Sequence, residues 1–488
     1  MGYKKVFTSC ITVILIAVLA SCAKSGDNTP TGQVTDDPAD ITGFAAMLDL
    51  AASRESIPNL TVKDGYVSAA DFTQGKLIFA PGQTFDANYF TISASASSYL
   101  RCELEYKKGS QTKIEEFFLE GDGTMKTFRS YMGQNNENAG KITLVSLYVE
   151  DGRRKPLNDV RFTLGGLGFD TKPKLPPMLY LENEYYKVGI NLEMGGGISY
   201  LQDMKNKPAL IKEDGIYKIT LDQDHPGIMY TGINLLSRAD AGRSIQQSYY
   251  GGQNGSEGYE MGEFIGMPWG YNPVQGGDKI NTPSKIIDYE VTDTYIYVKC
   301  RPMDWGQENK ITPSYMENTI TFIDNVIKVE NRFIDFSKYI HKPAGQELPA
   351  FYSIEPLRTL WYYPGSEKQP MAKWEDRTFW ATMEGGLRAD LQYGFSAWTT
   401  EDDTRYGVGL YNNMRGISIL AGMAGVDSVT VLPFTDALGH PNALARRLSR
   451  NTQIILQDPT LTLAVGSQVT IVNRGDTILR GYDEQIRD

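Results

Sequence analysis

The chain has 488 residues, enough for two or three domains, and carries a formal net charge of −11. An acidic surface repels nucleic acid and other polyanions at long range, so no nucleic-acid partner is expected and neutral ligands fit better. Only three histidines (His225, His341 and His440) and four cysteines occur, with no Cys or His cluster at zinc spacing, so neither a metal nor another cofactor is expected.

In chain order, Lys4 and Lys5 precede an apolar run over residues 11–20, the pattern of a secretory signal and too short for a stable membrane span of about 20 apolar residues. Leu19-Ala20-Ser21-Cys22 resembles the bacterial lipobox, which implies that residues 1–22 are a lipoprotein signal peptide and that Cys22 becomes a lipidated N-terminus. Several acyl chains give a lasting hold on a bilayer, so a membrane is an expected partner through this anchor. Residues 23–27 are similar to the Lys-and-acid export signals of Bacteroidetes surface lipoproteins, and the expected location is the outer membrane, at the cell surface or the periplasmic face. Residues 23–44, rich in Ser, Gly, Asp, Thr and Pro, read as a disordered tether.

From residue 45 the chain reads almost wholly as β. Residues 100–106 alternate apolar and charged side chains, as a half-buried strand requires, and further short strands are expected at 117–119, 142–149 and 160–164. Turn signals at Gly121-Asp122-Gly123 and Asp151-Gly152 complete a β-sandwich expected over 45–167, Ig-like or carbohydrate-binding-like in kind. Residues 168–178, with Lys172-Pro173-Lys174-Leu175-Pro176-Pro177, form an expected linker, and residues 179–488 a second domain. There, residues 295–300 alternate, and 320–329 holds two β runs about Asp324-Asn325, a hairpin signal. The best short helix candidate is 442–448. Once Cys10 and Cys22 are set aside, Cys102 and Cys300 sit in separate strand patterns and are expected as two buried thiols. The fold class expected is all-β: an N-terminal β-sandwich followed by a large antiparallel β sandwich. The six tryptophans, Trp269, Trp305, Trp361, Trp374, Trp380 and Trp398, all fall in the second domain.

Residues 183–190, followed by Gly195-Gly196-Gly197-Ile198-Ser199-Tyr200-Leu201-Gln202-Asp203, resemble the opening of galactose-mutarotase-like domains, where a strand reaches a glycine turn and a second strand ends in aspartate. The blocks at 240–250, 269–278 and 345–350 are similar to those of a largely uncharacterised bacterial group with this domain. The resemblance covers roughly 180–470 and implies a β super-sandwich. It departs from aldose 1-epimerases, whose histidine acid has no counterpart here; His341, six residues before Glu347, is not that signature. The same architecture serves glycoside hydrolases and polysaccharide lyases.

Glycoside hydrolysis needs a proton donor and a second carboxylate flanking the scissile bond. Glu347, beside Leu348, Pro349 and Phe351, is the expected acid because desolvation raises a carboxyl pKa, and Asp278 and Glu317 are the other candidates. Each of the three has a bland alternative, capping a turn or pairing with Arg301 or Arg332. Gln246, Gln247, Tyr250, Trp269, Asn272, Gln275, Arg301 and Trp305 are the expected substrate-binding residues, since amides donate to and accept from sugar hydroxyls while aromatic faces stack on pyranose rings. The expected function is a glycoside hydrolase acting on a neutral oligo- or polysaccharide. The alternatives are a non-catalytic glycan-binding lipoprotein and a polysaccharide lyase, in which Arg243 and Arg301 would neutralise a uronate and Tyr250 would take the proton.

Overall fold

In the computed structural model, most of 85–133 and 161–362 is described, together with strand segments at 46–47, 54–55, 60–63, 66–69, 76–79, 141–148, 372–374, 395–401, 406–411 and 474–475. The signal, tether, Cys22, His341, His440, Trp380 and the helix candidate at 442–448 lie outside the described residues. The described chain is β throughout apart from one short 3-10 turn, Leu192–Met194.

The first unit is two six-stranded antiparallel sheets. One carries Tyr89–Ala96 between Lys126–Tyr131 and Arg161–Asp170; the other carries Leu100–Lys108 between Lys141–Tyr148 and Gln111–Leu119. Period-two alternation in Leu100–Lys108 buries Cys102, Leu104 and Tyr106 while Glu103, Glu105 and Lys107 stay partly exposed. Phe90, Phe117 and Phe128 fill the space between the sheets, with Phe117 stacked on Phe128 at a centroid distance of 5.2 Å. Cys102 and Cys300 are both buried free thiols.

The second unit is also layered. A seven-stranded sheet includes Met178–Glu182, Tyr186–Asn191, Gly197–Asp203, Ile245–Ser248 and Glu347–Phe351, and a five-stranded sheet includes Lys285–Val291, Tyr295–Arg301, Ser314–Ile323 and Val326–Asp335. The pairing Ile323↔Val326 leaves two residues between strands where the hairpin was expected. Ile190, Ile198 and Leu201 of one sheet meet Ile296, Val298, Met316, Ile320 and Phe333 of the other in one apolar cluster. Gly195 sits at φ 63°, and a Cβ there would lie 1.7 Å from the Gln275 carbonyl oxygen, so the glycine turn lets two backbones touch.

The two units are not beads on a linker. The strand Arg161–Asp170 runs past the boundary expected at 167. Beyond it, the Asn88 amide clamps Lys172, accepting from its N–H at 2.7 Å and donating to its carbonyl at 2.8 Å, and Leu175 is buried. Two edge strands of the first unit, Gln111–Leu119 and Lys126–Tyr131, end against the second, which covers the edges that an isolated sandwich would expose. Phe118 stacks on Phe336 at 5.1 Å, and its N–H donates to the Tyr315 hydroxyl at 2.8 Å. Tyr89 donates to Asp288 at 3.0 Å, Arg301 pairs with Glu116 at 3.2 Å, Arg332 with Glu120 at 2.7 Å, and Lys285 with Glu115. Charges this deep are tolerable because each has its partner.

Candidate functional site

Most of the amides expected to meet ligand are spent inside the protein. Gln247 donates to the Glu317 carbonyl at 2.8 Å and to Asn318 Oδ1 at 3.2 Å, and Gln275 donates to the same Asn318 oxygen at 2.7 Å while accepting from the Gln247 N–H at 3.1 Å. This buried knot ties the seven-stranded sheet to the five-stranded one. Gln246 accepts from Gly276 N–H at 2.9 Å, and Asn272 donates to the Tyr249 carbonyl at 2.8 Å while accepting from Trp269 Nε1 at 3.0 Å. All four amide side chains are buried, so Gln246, Gln247, Gln275 and Asn272 organise strands and loops instead of contacting sugar.

The carboxylates divide in the same way. Asp278 is wholly buried, its oxygens accepting from the backbone N–H groups of Ile280, Thr282 and Asn309 at 3.0, 2.8 and 2.8 Å. It is a loop organiser, and no substrate reaches it. Glu317 bonds Lys299 at 3.0 Å and Arg332 at 3.4 Å; burial pushes its pKa up, but the two cations outweigh that and hold it below the usual carboxylate range. A carboxyl kept ionised this way is a poor proton donor. Arg301, expected at the ligand, is buried in the interface between the two units, where it donates to the Glu116 carbonyl at 2.6 Å.

The lyase chemistry loses its parts as well. Arg243 is buried and committed to Asp240 at 2.7 Å and to the Asp278 carbonyl at 3.0 Å. Burial, the charge of Glu347 and a hydrogen bond to it push the Tyr250 phenol well above its ordinary range, which keeps it protonated and unfit as a neutral-pH base.

What the fold does bring together is an arc of rings closed at both ends by a carboxylate. The hairpin Gly262–Phe264 with Met267–Trp269 presents Phe264 5.4 Å from Trp269 and 5.9 Å from Trp305. Trp269 meets Tyr250 edge-on at 6.2 Å, and the Arg243 guanidinium lies 5.1 Å from the Trp305 ring centre. At one end Tyr250 is hydrogen-bonded to Glu347; at the other Arg243 holds Asp240. Glu347 reaches this place because Glu347–Phe351 pairs antiparallel with Ile245–Ser248, setting Glu347 opposite Ser248. Tyr352, 39% exposed, closes the ring: burial first, then the charges of Asp240 and Glu347, push its phenol up to about 12. Tyr250, Phe264, Trp269, Trp305 and Glu347 are all partly exposed.

Thus Glu347, Tyr250, Trp269 and Trp305 converge, whereas Asp278, Glu317, Arg301 and the four amides do not join them. Trp398 stacks on Phe351 at 4.2 Å. Asp240, Tyr352 and Phe264 were missed from the sequence. Asp240 stands three residues before Arg243, a spacing that suits an ion pair across a tight turn and was available as a signal; Phe264 and Tyr352 carried none.

No protein-family profile matches the chain. A 36-residue segment is 61% identical to the methylmalonyl-CoA mutase small subunit of Streptomyces virginiae; it spans 7% of this chain and 6% of that protein. Among solved structures, a mutant of a family 29 carbohydrate-binding module aligns over 23% of this chain and 76% of the module, at 8% identity and a TM-score of 0.18. Neither match assigns the chain to a family.

Proposed function

We propose that the chain binds a neutral oligo- or polysaccharide along the arc Tyr250–Trp269–Phe264–Trp305. The observation that carries this reading is the series of partly exposed rings, linked at 5.4 to 6.2 Å and ended by Glu347 and Asp240. A pyranose has an apolar C–H face for such rings and a rim of hydroxyls for carboxylates and phenols. The net charge of −11 favours an uncharged glycan over a polyuronate. A second reading, glycoside hydrolysis with Glu347 as proton donor, is favoured by the hydrogen bond between Tyr250 and Glu347. We further propose anchoring at the outer membrane through Cys22, which rests on the lipobox-like Leu19-Ala20-Ser21-Cys22 alone.

The test is retention of the soluble 23–488 fragment in affinity electrophoresis through gels containing neutral or acidic polysaccharides. Retardation by a neutral polysaccharide is expected, and its loss in Trp305→Ala. No retardation by any neutral polysaccharide, or retardation by acidic ones only, overturns the reading.

A further inference from the structure

We infer that the turn of the hairpin beside the aromatic arc, Ile265-Gly266 with Met267, is a subsite for apolar O-acyl substituents, so that the preferred ligand is a neutral polysaccharide carrying O-acetyl esters. The inference rests on the glycan-binding reading of this site and names the class of glycan.

The strands Gly262–Phe264 and Met267–Trp269 are joined by two residues, Ile265 at φ 50° and Gly266 at φ 71°. Positive φ at both positions is the type I′ turn, whose first central residue is ordinarily Asn, Asp or Gly. A β-branched side chain is the worst choice there, because Cβ crowds the following carbonyl oxygen. Among the described residues Ile265 is the one β-branched residue at positive φ, and it is also 79% exposed, so little packing against the protein offsets the strain. Strain held at an exposed position points to a use outside the fold. The stem beneath the turn is fixed. A Cβ on Gly262 would lie 2.5 Å from the Gly306 carbonyl carbon, the Glu263 N–H donates to the Gly306 carbonyl at 3.0 Å, and Lys279 Nζ donates to the Glu263 carbonyl at 2.7 Å.

Register decides what the turn adds to the arc. The pairs Gly262↔Trp269 and Phe264↔Met267 put Trp269, Phe264 and Met267 on one face of the hairpin, with Glu263 and Pro268 on the other. Met267, 54% exposed, therefore continues the series Tyr250–Trp269–Phe264 in aliphatic form, and Ile265 stands at its end. This end offers no strong hydrogen-bonding side chain: Phe264 and Ile265 have none, the Met267 thioether is a weak acceptor, and Trp269 Nε1 is already given to Asn272. A bare sugar hydroxyl laid here would leave water without a partner, whereas each acetyl methyl taken out of water tightens binding about fourfold. A lipid surface suits the turn less well, since exposed Glu260 and Glu263 stand just before it and an anionic leaflet repels them.

The experiment measures affinity electrophoresis and calorimetry of the 23–488 fragment with glucomannan, galactomannan and xylan, each in a deacetylated and a chemically O-acetylated form. Wild type is expected to bind at least one acetylated polymer about four- to tenfold more tightly than its deacetylated counterpart. Ile265→Asn, which suits the turn, and Met267→Gln are expected to lose that preference while holding the deacetylated polymer within about twofold of wild type. Ile265→Asn is also expected to raise the melting temperature, because Asn tolerates the left-handed backbone. A lowered melting temperature would show that Ile265 is kept for folding and overturns the inference. Equal affinity for the two forms of every polymer overturns it and leaves the glycan-binding reading standing, and a preference that survives in both variants overturns it by placing the acetyl subsite elsewhere. Flotation of the fragment with phosphatidylcholine vesicles, lost in Ile265→Asn, assigns the turn to a membrane and overturns it as well. Retardation by none of these polymers overturns the inference, and the wider panel of neutral polysaccharides then decides the glycan-binding reading.

Discussion

Phe118→Ala tests whether the two sandwiches form one cooperative structure. Phe118 belongs to the first unit, is 2% exposed, and is held by residues of the second: Phe336 stacked at 5.1 Å, Tyr315 at 6.4 Å and the Arg301 guanidinium at 5.3 Å. Truncating a buried phenylalanine costs about 3–5 kcal/mol, to which the lost aromatic pairing adds about 1 kcal/mol. All six tryptophans lie from residue 269 onward, so tryptophan fluorescence, excited beyond the tyrosine absorption band, reports the second unit alone while far-ultraviolet circular dichroism reports both. In urea titrations of the 23–488 fragment, the variant is expected to lower both midpoints together by about 4 kcal/mol of stability. A fluorescence midpoint that stays at the wild-type value while the dichroism midpoint falls would refute the shared core.

Other outcomes follow from the same contacts. Gly195→Ala is expected to destabilise by more than about 3 kcal/mol, from a left-handed backbone and a collision with the Gln275 carbonyl, whereas Gly215→Ala, at φ 81° with open space around it, costs about 1–2 kcal/mol in a thermal melt. Burial pushes Asp288 up to about 6 from an ordinary 3.8, against the opposing hydrogen bond from Tyr89. A carboxyl with a raised folded-state pKa binds its proton more tightly when folded, so its contribution is full below about pH 4 and is lost as pH rises to about 6. Asp288→Asn, which keeps the protonated shape, is therefore expected to gain melting temperature relative to wild type across that window; a difference that does not vary with pH refutes the claim. Burial also pushes the thiols of Cys102 and Cys300 up. Ellman's reagent is thus expected to find no reactive thiol in the native 23–488 fragment and two after denaturation, and rapid native reaction counters that placement.

Where the sequence was legible, the reason is period-two patterning. Leu100–Lys108 and Tyr295–Arg301 each have one face against an apolar layer, and a strand with one buried face must alternate. The glycine run at 195–197 was legible for a related reason, because φ and close approach restrict the residue type. The candidate site was legible in its aromatic half and in Glu347. Trp269 and Trp305 are rare and conspicuous, but the Gln247 amide N–H groups, Gln275 and Asp278 look like ligand-binding groups in one dimension and prove to be engaged by Asn318, by the Glu317 carbonyl and by backbone N–H groups elsewhere in the chain. A polar side chain carries no local mark of whether its partner is a sugar or a carbonyl seventy residues away. Asp240 was passed over for the converse reason: its place at the arc depends on Arg243 lying by Trp305, a contact only the fold makes. Docking of the first unit through Glu115, Glu116 and Glu120 was equally invisible, since acidic residues on an alternating strand read as a solvated face.

The most direct test of the glycan-binding account is isothermal titration of the wild-type 23–488 fragment and of Trp269→Ala with the neutral glycan that retains the wild type. Trp269 lies between Tyr250 and Phe264 in the arc, so its removal is expected to weaken binding by about 2 kcal/mol, roughly thirtyfold in Kd, at an unchanged melting temperature within a few degrees. An affinity equal to that of wild type would place the ligand elsewhere and contradict the account.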